Sequence, residues 1–401
     1  MPHPDLQQRI ADAATAHQAA VVADRRHLHA HPELSFQEVS TQRYLASRLT
    51  DLGIAHRSAG GTGLIAEIQG EQGSGPTIAL RADTDALPIQ EANEVEYRSQ
   101  NPGVMHACGH DVHTASLLGT ARIVQGLRQH FAGTVRFLFQ PGEELLPGGA
   151  TLMIRDGALE NPRPAAIFGQ HVHPPLPAGT VGFRPGIYMA STDELYLTVR
   201  GRGGHGAMPH QAVDPVVISA YIITAVQQLI SRQTDPTLPA VLTFGRIESE
   251  GGATNIIPNA VHLQGTLRTL DEAWRAELKL RLRQLVSSLA IAMGGQAELR
   301  IADGYPFLRN DPGLTNWAWD EARRYLGEDR AVELPIRMTG EDFAFYTHHL
   351  PACFYRLGVG NAGRGINSPV HTDTFDVDES CLETGTGLMA WLALRSLVHS
   401  R

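Results

Sequence analysis

Four short, separated stretches of this chain concentrate thiolate, imidazole and carboxylate, the side chains that bind divalent transition metals. They are Met105-His106-Ala107-Cys108-Gly109-His110-Asp111-Val112-His113, Gln140-Pro141-Gly142-Glu143-Glu144, Gly169-Gln170-His171-Val172-His173 and, near the C-terminus, Val370-His371-Thr372-Asp373. Only folding can bring them together. Glu143 and Glu144 are neighbours and point in different directions, so one can hold a metal while the other faces a water. A carboxylate beside a metal ligand is what a metal hydrolase needs to take a proton from water.

Each patch taken alone has a plainer explanation. Cys108 and His110 could be a buried thiol and a structural imidazole. The glutamate pair could be a solvated turn, and His171 and His371 hydrogen-bonded structural histidines. The crowding of four metal-capable side chains in the first patch, with Gly109 allowing close backbone approach, favours ligation. In extended chain Cys108 and His110 would point to the same side. His106 and His113 then support the ligands or start a helix. Arg81-Ala82-Asp83-Thr84-Asp85 puts two carboxylates at a strand end, to orient a ligand imidazole, to bind metal or to build the turn. His205, in the flexible loop Gly203-Gly204-His205-Gly206-Ala207-Met208-Pro209-His210, could face an oxyanion. Asn255 offers an amide to the same region, and Arg268 ends a strand where it could clamp a carboxylate. Turn chemistry or surface charge would equally explain these three.

The elements that must position these residues alternate. The stretch 6–52 reads as helical with a break at His31-Pro32, where proline restricts the preceding residue. Strand-like runs at 64–68, 77–82, 133–139 and 165–169 alternate with a helix at 113–127, which predicts an α/β sheet with parallel pairs. In such sheets ligands sit beyond the carboxyl ends of the strands. Asp83 and Asp85, Glu143 and Glu144, and His171 all follow strand-like runs, a topological argument for a single site. From about residue 186 the pattern changes to half-exposed strands (193–200, 242–247, 260–268) and two long helices (213–231, 271–293). That is an inserted α+β domain with an antiparallel sheet, expected over 186–297. Because His371 lies beyond it, the metal-binding catalytic domain, 1–185 and 298–401 with a mostly parallel central sheet, is discontinuous.

Composition agrees with an ordinary globular protein. The 401 residues are 42% hydrophobic and 19% charged, with a net charge of −9, and that length favours two domains. A mildly acidic chain without a basic stripe excludes nucleic acid as a natural partner. No apolar run reaches the ~20 residues of a membrane helix, and residues 1–20 carry no signal-peptide core. A cytoplasmic protein is expected. Three dispersed cysteines, Cys108, Cys353 and Cys381, argue against a disulfide framework.

Taken together the patches resemble the M20 metallopeptidase family, and within it the amidohydrolase branch of hippurate hydrolases, N-acyl-amino-acid amidohydrolases and plant auxin-conjugate hydrolases. The resemblance runs from His29-Ala30-His31-Pro32-Glu33-Leu34 to His371; Gly204–His210 and Asn255-Ile256-Ile257-Pro258 match in order and spacing. It implies two divalent ions per subunit, manganese or zinc, with cobalt or nickel as alternatives, held by Cys108, His110, Glu144, His171 and His371. It implies Glu143 as general base and Asp85 behind a metal ligand. It also implies a homodimer or higher homo-oligomer joined through the inserted domain, with His205 reaching the partner's site and Asn255 and Arg268 contacting a small-molecule N-acyl amino acid. Two departures, a short Thr339-Gly340-Glu341-Asp342-Phe343 segment and Asp373 where proline is common, bear on substrate preference more than on metal. A dipeptidase, carboxypeptidase or diaminopimelate-intermediate deacylase of the same family is the alternative enzyme; an inactive metal-binding scaffold is the alternative outside enzymes.

Overall fold

The computed structural model of the chain describes residues 3–399. The chain divides into two compact units, one running to Gly186 and including Arg309–Pro335 and everything from Phe345, the other comprising Ile187–Leu308 and Ile336–Ala344. Among the described residues no helix is long and apolar enough to cross a membrane.

In the first unit the helices are α1 (His3–Ala30), α2 (Val39–Asp51), α3 (His110–Gly126), α4 (Gly149–Arg155), α5 (Pro312–Leu326) and α6 (Cys381–His399). The strands are β1 (Ala55–Ala59), β2 (Gly63–Gln69), β3 (Thr77–Asp83), β4 (Thr134–Gln140), β5 (Ala166–Pro177), β6 (Val181–Phe183), β7 (Ala331–Glu333) and β8 (Ala352–Gly360). They form one sheet of order β1-β2-β4-β3-β5-β8-β6-β7. The pairs β3/β4, β3/β5, β5/β8 and β6/β7 are parallel, and β1/β2, β2/β4 and β6/β8 antiparallel. Every residue of β3 and β8 is buried, as expected of strands covered on both faces. That is why they read as continuous apolar runs instead of alternating ones.

Helix α3 is buried almost throughout, and α1 and α6 pack against it and against each other. Their core side chains include Ile10, Val21, Leu117, Leu118, Leu388 and Leu392. The proline at 32 ends α1 at Ala30 as expected. Glu33 then accepts hydrogen bonds from Ser40 N, Thr41 N and Thr41 Oγ1 at the start of α2 (3.1, 2.8 and 2.9 Å), satisfying helix-end donors.

The second unit is a four-stranded antiparallel sheet, ordered Ala240–Ser249, Ala260–Thr269, Asp193–Arg200, Gln296–Asp303. Its strand Asp193–Arg200 alternates cleanly, with Leu195, Leu197 and Val199 buried. These pack with Ile218, Ile222 and Val226 of one helix and Leu278, Leu282 and Val286 of the other. Asp271 caps the second helix through Trp274 N (2.7 Å). The sequence reading stops this region at residue 297. Gln296–Asp303 instead pairs with Asp193–Arg200 along its whole length, so the unit continues past that boundary.

Candidate metal centre

Parallel pairing brings the chemistry-bearing patches of the first unit to one end of the sheet. Asp83 and Gln140, the last residues of β3 and β4, are directly in register. Asp85 and the Glu143–Glu144 pair follow them. His171 does not follow its strand as expected; it lies inside β5, two residues past the Arg81–Gly169 pair.

Two tight turns make the approach possible. Gly142 has φ +59°, and a Cβ there would lie 2.2 Å from the Phe36 ring. Gly109 has φ +78°, and its Cβ would meet Val172 Cγ2 at 2.6 Å. Both positions demand glycine. The Gly109 kink also corrects the extended-chain expectation for Cys108 and His110. His110 is the first residue of α3, so the helix begins three residues earlier than the sequence pattern suggests, and the two side chains converge around a kink.

Three imidazoles then present Nε2 to one place. His110 Nδ1 lies 3.1 Å from Asp85 Oδ1, so it donates there and leaves Nε2 as the lone-pair nitrogen. His171 Nδ1 is 2.9 Å from the Val172 carbonyl, which fixes the same tautomer, and its Nε2 is 3.5 Å from Cys108 Sγ. His371 Nε2 lies 3.2 Å from Cys108 Sγ and 3.2 Å from Glu144 Oε1. Potential donor atoms of Cys108, His110 and His171, of Cys108, Glu144 and His371, and of His110, Glu143 and Glu144 form three overlapping groups, each within 4.8 Å. Cys108 is common to two of them.

A support layer stands behind these side chains. Asp85 holds three segments at once: besides His110 it accepts from Ser35 Oγ (2.6 Å) and from the Glu144 backbone N–H (3.0 Å). Glu38, fully buried, accepts Gly142 N (2.8 Å) and Thr62 Oγ1 (2.5 Å). His113 donates from Nδ1 to Asp83 (2.5 Å) and accepts the Val172 N–H at Nε2 (2.8 Å). Both its nitrogens are committed, so His113 steadies the backbone beside His171. Asp83 in turn is paired with Arg81 at 2.6 Å. Ser35, Phe36 and Glu38 are not among the expected site residues; the sequence pattern places them in the helical stretch 6–52, whereas they lie in the connection between α1 and α2.

The electrostatics suit a cation. Burial, reinforced by Glu144, pushes the Cys108 thiol up. Hydrogen bonds to Cys108 and Glu144 push His371 up to about 10. Burial works against the charged form of Asp85, but its bond to His110 still holds its carboxyl below the usual range. His110 Nε2 is buried without a hydrogen-bond partner among the described residues. An orphaned imidazole nitrogen aimed at sulfur and carboxylate fits a divalent ion of borderline softness. His371 itself has φ +64°, costly for a non-glycine residue, and is pinned by its N–H to the Ala107 carbonyl (2.7 Å).

In the second unit, His205 and Asn255 are brought side by side on a two-stranded ribbon. His205 pairs with Ile256, and Gly206 N donates to Asn255 O at 2.7 Å. His205 Nδ1 accepts the Ala207 N–H (3.1 Å), which leaves the proton on Nε2 of an exposed ring. Arg268 is elsewhere in this unit, half-buried and paired with Val241. The ribbon adjoins the Ala260 end of the strand Ala260–Thr269, where Gly203 N donates to Asn259 Oδ1 (2.9 Å). Arg268 lies eight residues along, ~26 Å away at ordinary strand rise.

A fold of this class, a mostly parallel α/β sheet gathering metal-ligand side chains at its carboxyl end and accompanied by a separate antiparallel unit, is shared with known hydrolases. The sequence profile of peptidase family M20/M25/M40 matches residues 79–395. The chain belongs to that family. It is 44% identical over 295 residues to an N-acyl-L-amino acid amidohydrolase of Geobacillus stearothermophilus, covering 73% of this chain and 79% of that protein. It is 37% identical to thermostable carboxypeptidase 2 of Saccharolobus solfataricus, over 98% of this chain and 99% of that one. A solved Bacillus subtilis structure, described as a dinuclear metal binding peptidase of the M20 family, superposes with a TM-score of 0.82 at 35% identity, covering 96% and 99% of the two chains. Family and ligand groups together make this protein a metal-dependent amidohydrolase.

Proposed function

We propose that the protein hydrolyses the amide bond of N-acyl amino acids, hippurate-like or N-acetylated, using two divalent ions per subunit. The observation that carries this reading is the convergence of three imidazole Nε2 atoms, the Cys108 sulfur and the Glu144 carboxylate beside a second, buried carboxylate, Glu143. Cys108, His110, Glu144, His171 and His371 would hold the ions, manganese or zinc, with cobalt or nickel as substitutes. A reducing compartment such as the cytoplasm keeps Cys108 available for this. Bound there, the ions supply Lewis acidity toward the amide carbonyl and lower the pKa of the attacking water.

The remaining steps belong to the chain. Glu143 takes the water proton and delivers it to the leaving amine nitrogen, so the C–N bond breaks with a neutral amine departing. Asp85 holds His110 in the tautomer that offers Nε2. His205, with its proton on Nε2, donates to the tetrahedral oxyanion. Arg268 binds the free carboxylate of the amino-acid half, aided by Asn255. His205, on its ribbon beside the Ala260 end of the strand Ala260–Thr269, is far from Arg268 near the other end of that strand, and this separation supports a homodimer or higher homo-oligomer in which His205 serves the partner's centre.

The carboxypeptidase relative favours one second reading, a peptidase of the same chemistry acting on a peptidyl instead of an acyl group. The test is a panel of N-acyl amino acids and dipeptides offered to metal-free protein reconstituted with one ion at a time. N-acyl amino acids should be turned over fastest with manganese or zinc. Faster dipeptide cleavage would replace the acylase reading, and no hydrolysis with any ion would leave only a metal-binding scaffold.

A further inference from the structure

A fully buried arginine outside the ligand groups touches the carriers of two of them. Arg25, in the last turns of α1, is 0% exposed. Burying a guanidinium is costly unless each face finds a partner. Its Nε donates to Asp111 Oδ2 at 2.8 Å, its Nη2 to Asp376 Oδ1 at 2.9 Å and its Nη1 to Glu379 Oε1 at 3.3 Å. The guanidinium also stacks on the Tyr97 ring, 4.6 Å from its centroid. Asp111 is the residue after His110. Asp376 is five residues after His371, in the loop that carries it.

We infer that Arg25 is a positioning residue of the metal centre, a clamp that fixes the His110 carrier and the His371 carrier in one frame. The inference rests on the ligand set proposed above. The two carriers differ in how much they need the clamp. His110 begins a helix packed into the core. His371 sits on a loop with its side chain 51% exposed and its backbone in the left-handed region. That loop is tied down by Ala92 N to Asp373 O (2.9 Å), Asn93 Nδ2 to Phe375 O (2.9 Å), Tyr97 Oη to Asp376 Oδ2 (2.8 Å), His371 N to Ala107 O beside Cys108 (2.7 Å) and Arg25. Of these, Arg25 is the tie made by a side chain that also grips the start of the helix carrying His110. The planar fork makes this possible; a lysine ammonium cannot hold both carboxylates in fixed directions.

The test is calorimetric titration of full-length, metal-free protein with zinc alone and manganese alone, well below the melting temperature. Arg25→Met should weaken ion binding about tenfold or more, the range found when groups behind metal ligands are removed. Arg25→Lys should fall between it and the unaltered protein. In the cobalt-loaded protein the thiolate-to-metal absorption band should shift in Arg25→Met, reporting a displaced ligand. Val21→Ala, a buried truncation in the same helix, controls for stability and should bind ions normally. Unchanged affinity in both Arg25 variants overturns the inference, as does an equal loss in Val21→Ala. If Arg25→Met does not fold, Asp376→Asn combined with Tyr97→Phe must reproduce the loss; normal binding there also overturns it. Unaltered protein that takes up no ion removes the ligand set itself, and the inference with it, a result distinct from all the others.

Discussion

The two units carry candidate site histidines of opposite kinds. His110 and His171 are 0% and 8% exposed, and each has its tautomer fixed by a bond from Nδ1 to an oxygen acceptor, a carboxylate or a carbonyl. His205 is exposed, held by main-chain bonds within a glycine-rich ribbon. The first kind is built to keep ligand atoms still in a place shielded from water. The second offers one N–H from a light mount, which suits a group that meets its substrate only when the site is assembled. On the proposed assignment, preorganisation is concentrated at the ion ligands and adaptability at the group that would meet the substrate.

This contrast can be broken by mutation. Glu143→Ala should lower kcat about 10²–10⁴-fold, the usual weight of a general base, with metal content by elemental analysis unchanged; near-normal turnover would remove Glu143 from its role. His205→Ala should cost about 10²–10³-fold in kcat, the weight of one oxyanion donor, with metal content and melting temperature unmoved. Mixing these two inactive variants after dissociation and reassembly sharpens the point. If His205 serves the partner's centre, mixed dimers regain one working site; if it serves its own, activity stays lost. Asp85→Asn should weaken metal binding about 10–100-fold, as groups behind ligands do, measured by competition with a chelator dye. The smallest effect expected is in hydrogen exchange. Adding a chelator should speed exchange at 105–113, 140–144 and 368–376 and leave 203–208 and 254–258 as they were; equal change in both sets would erase the contrast.

The ligand patches and the strands that deliver them were readable because each advertises itself locally. Cys108, His110 and Glu143–Glu144 have telling residue types, and β3 and β4 are unbroken apolar runs of strand length. The sequence pattern puts His171 after its strand because polar His171 and His173 interrupt the apolar run, although β5 continues to Pro177 by pairing with β8. No strand is expected over 296–303, where Gln296, Glu298 and Arg300 alternate with small or apolar residues on a largely exposed face, so the expected boundary at 297 falls at its start. The props were not readable at all. Ser35, Glu38 and Arg25 act on residues 50, 104 and 86 positions away, and no local pattern encodes a partner at such a distance. The separation of His205 from Arg268 needed the strand register.

Cys108, His110, Glu144, His171 and His371 are proposed to meet around divalent cations. Anomalous difference maps from crystals grown with zinc or manganese, collected on both sides of the metal's absorption edge, test it most directly. Two peaks are expected, with the Cys108 sulfur and the Nε2 atoms of the three histidines within bonding distance of them. No peak there, or peaks bound by other residues while these five side chains stay uncoordinated, would contradict it.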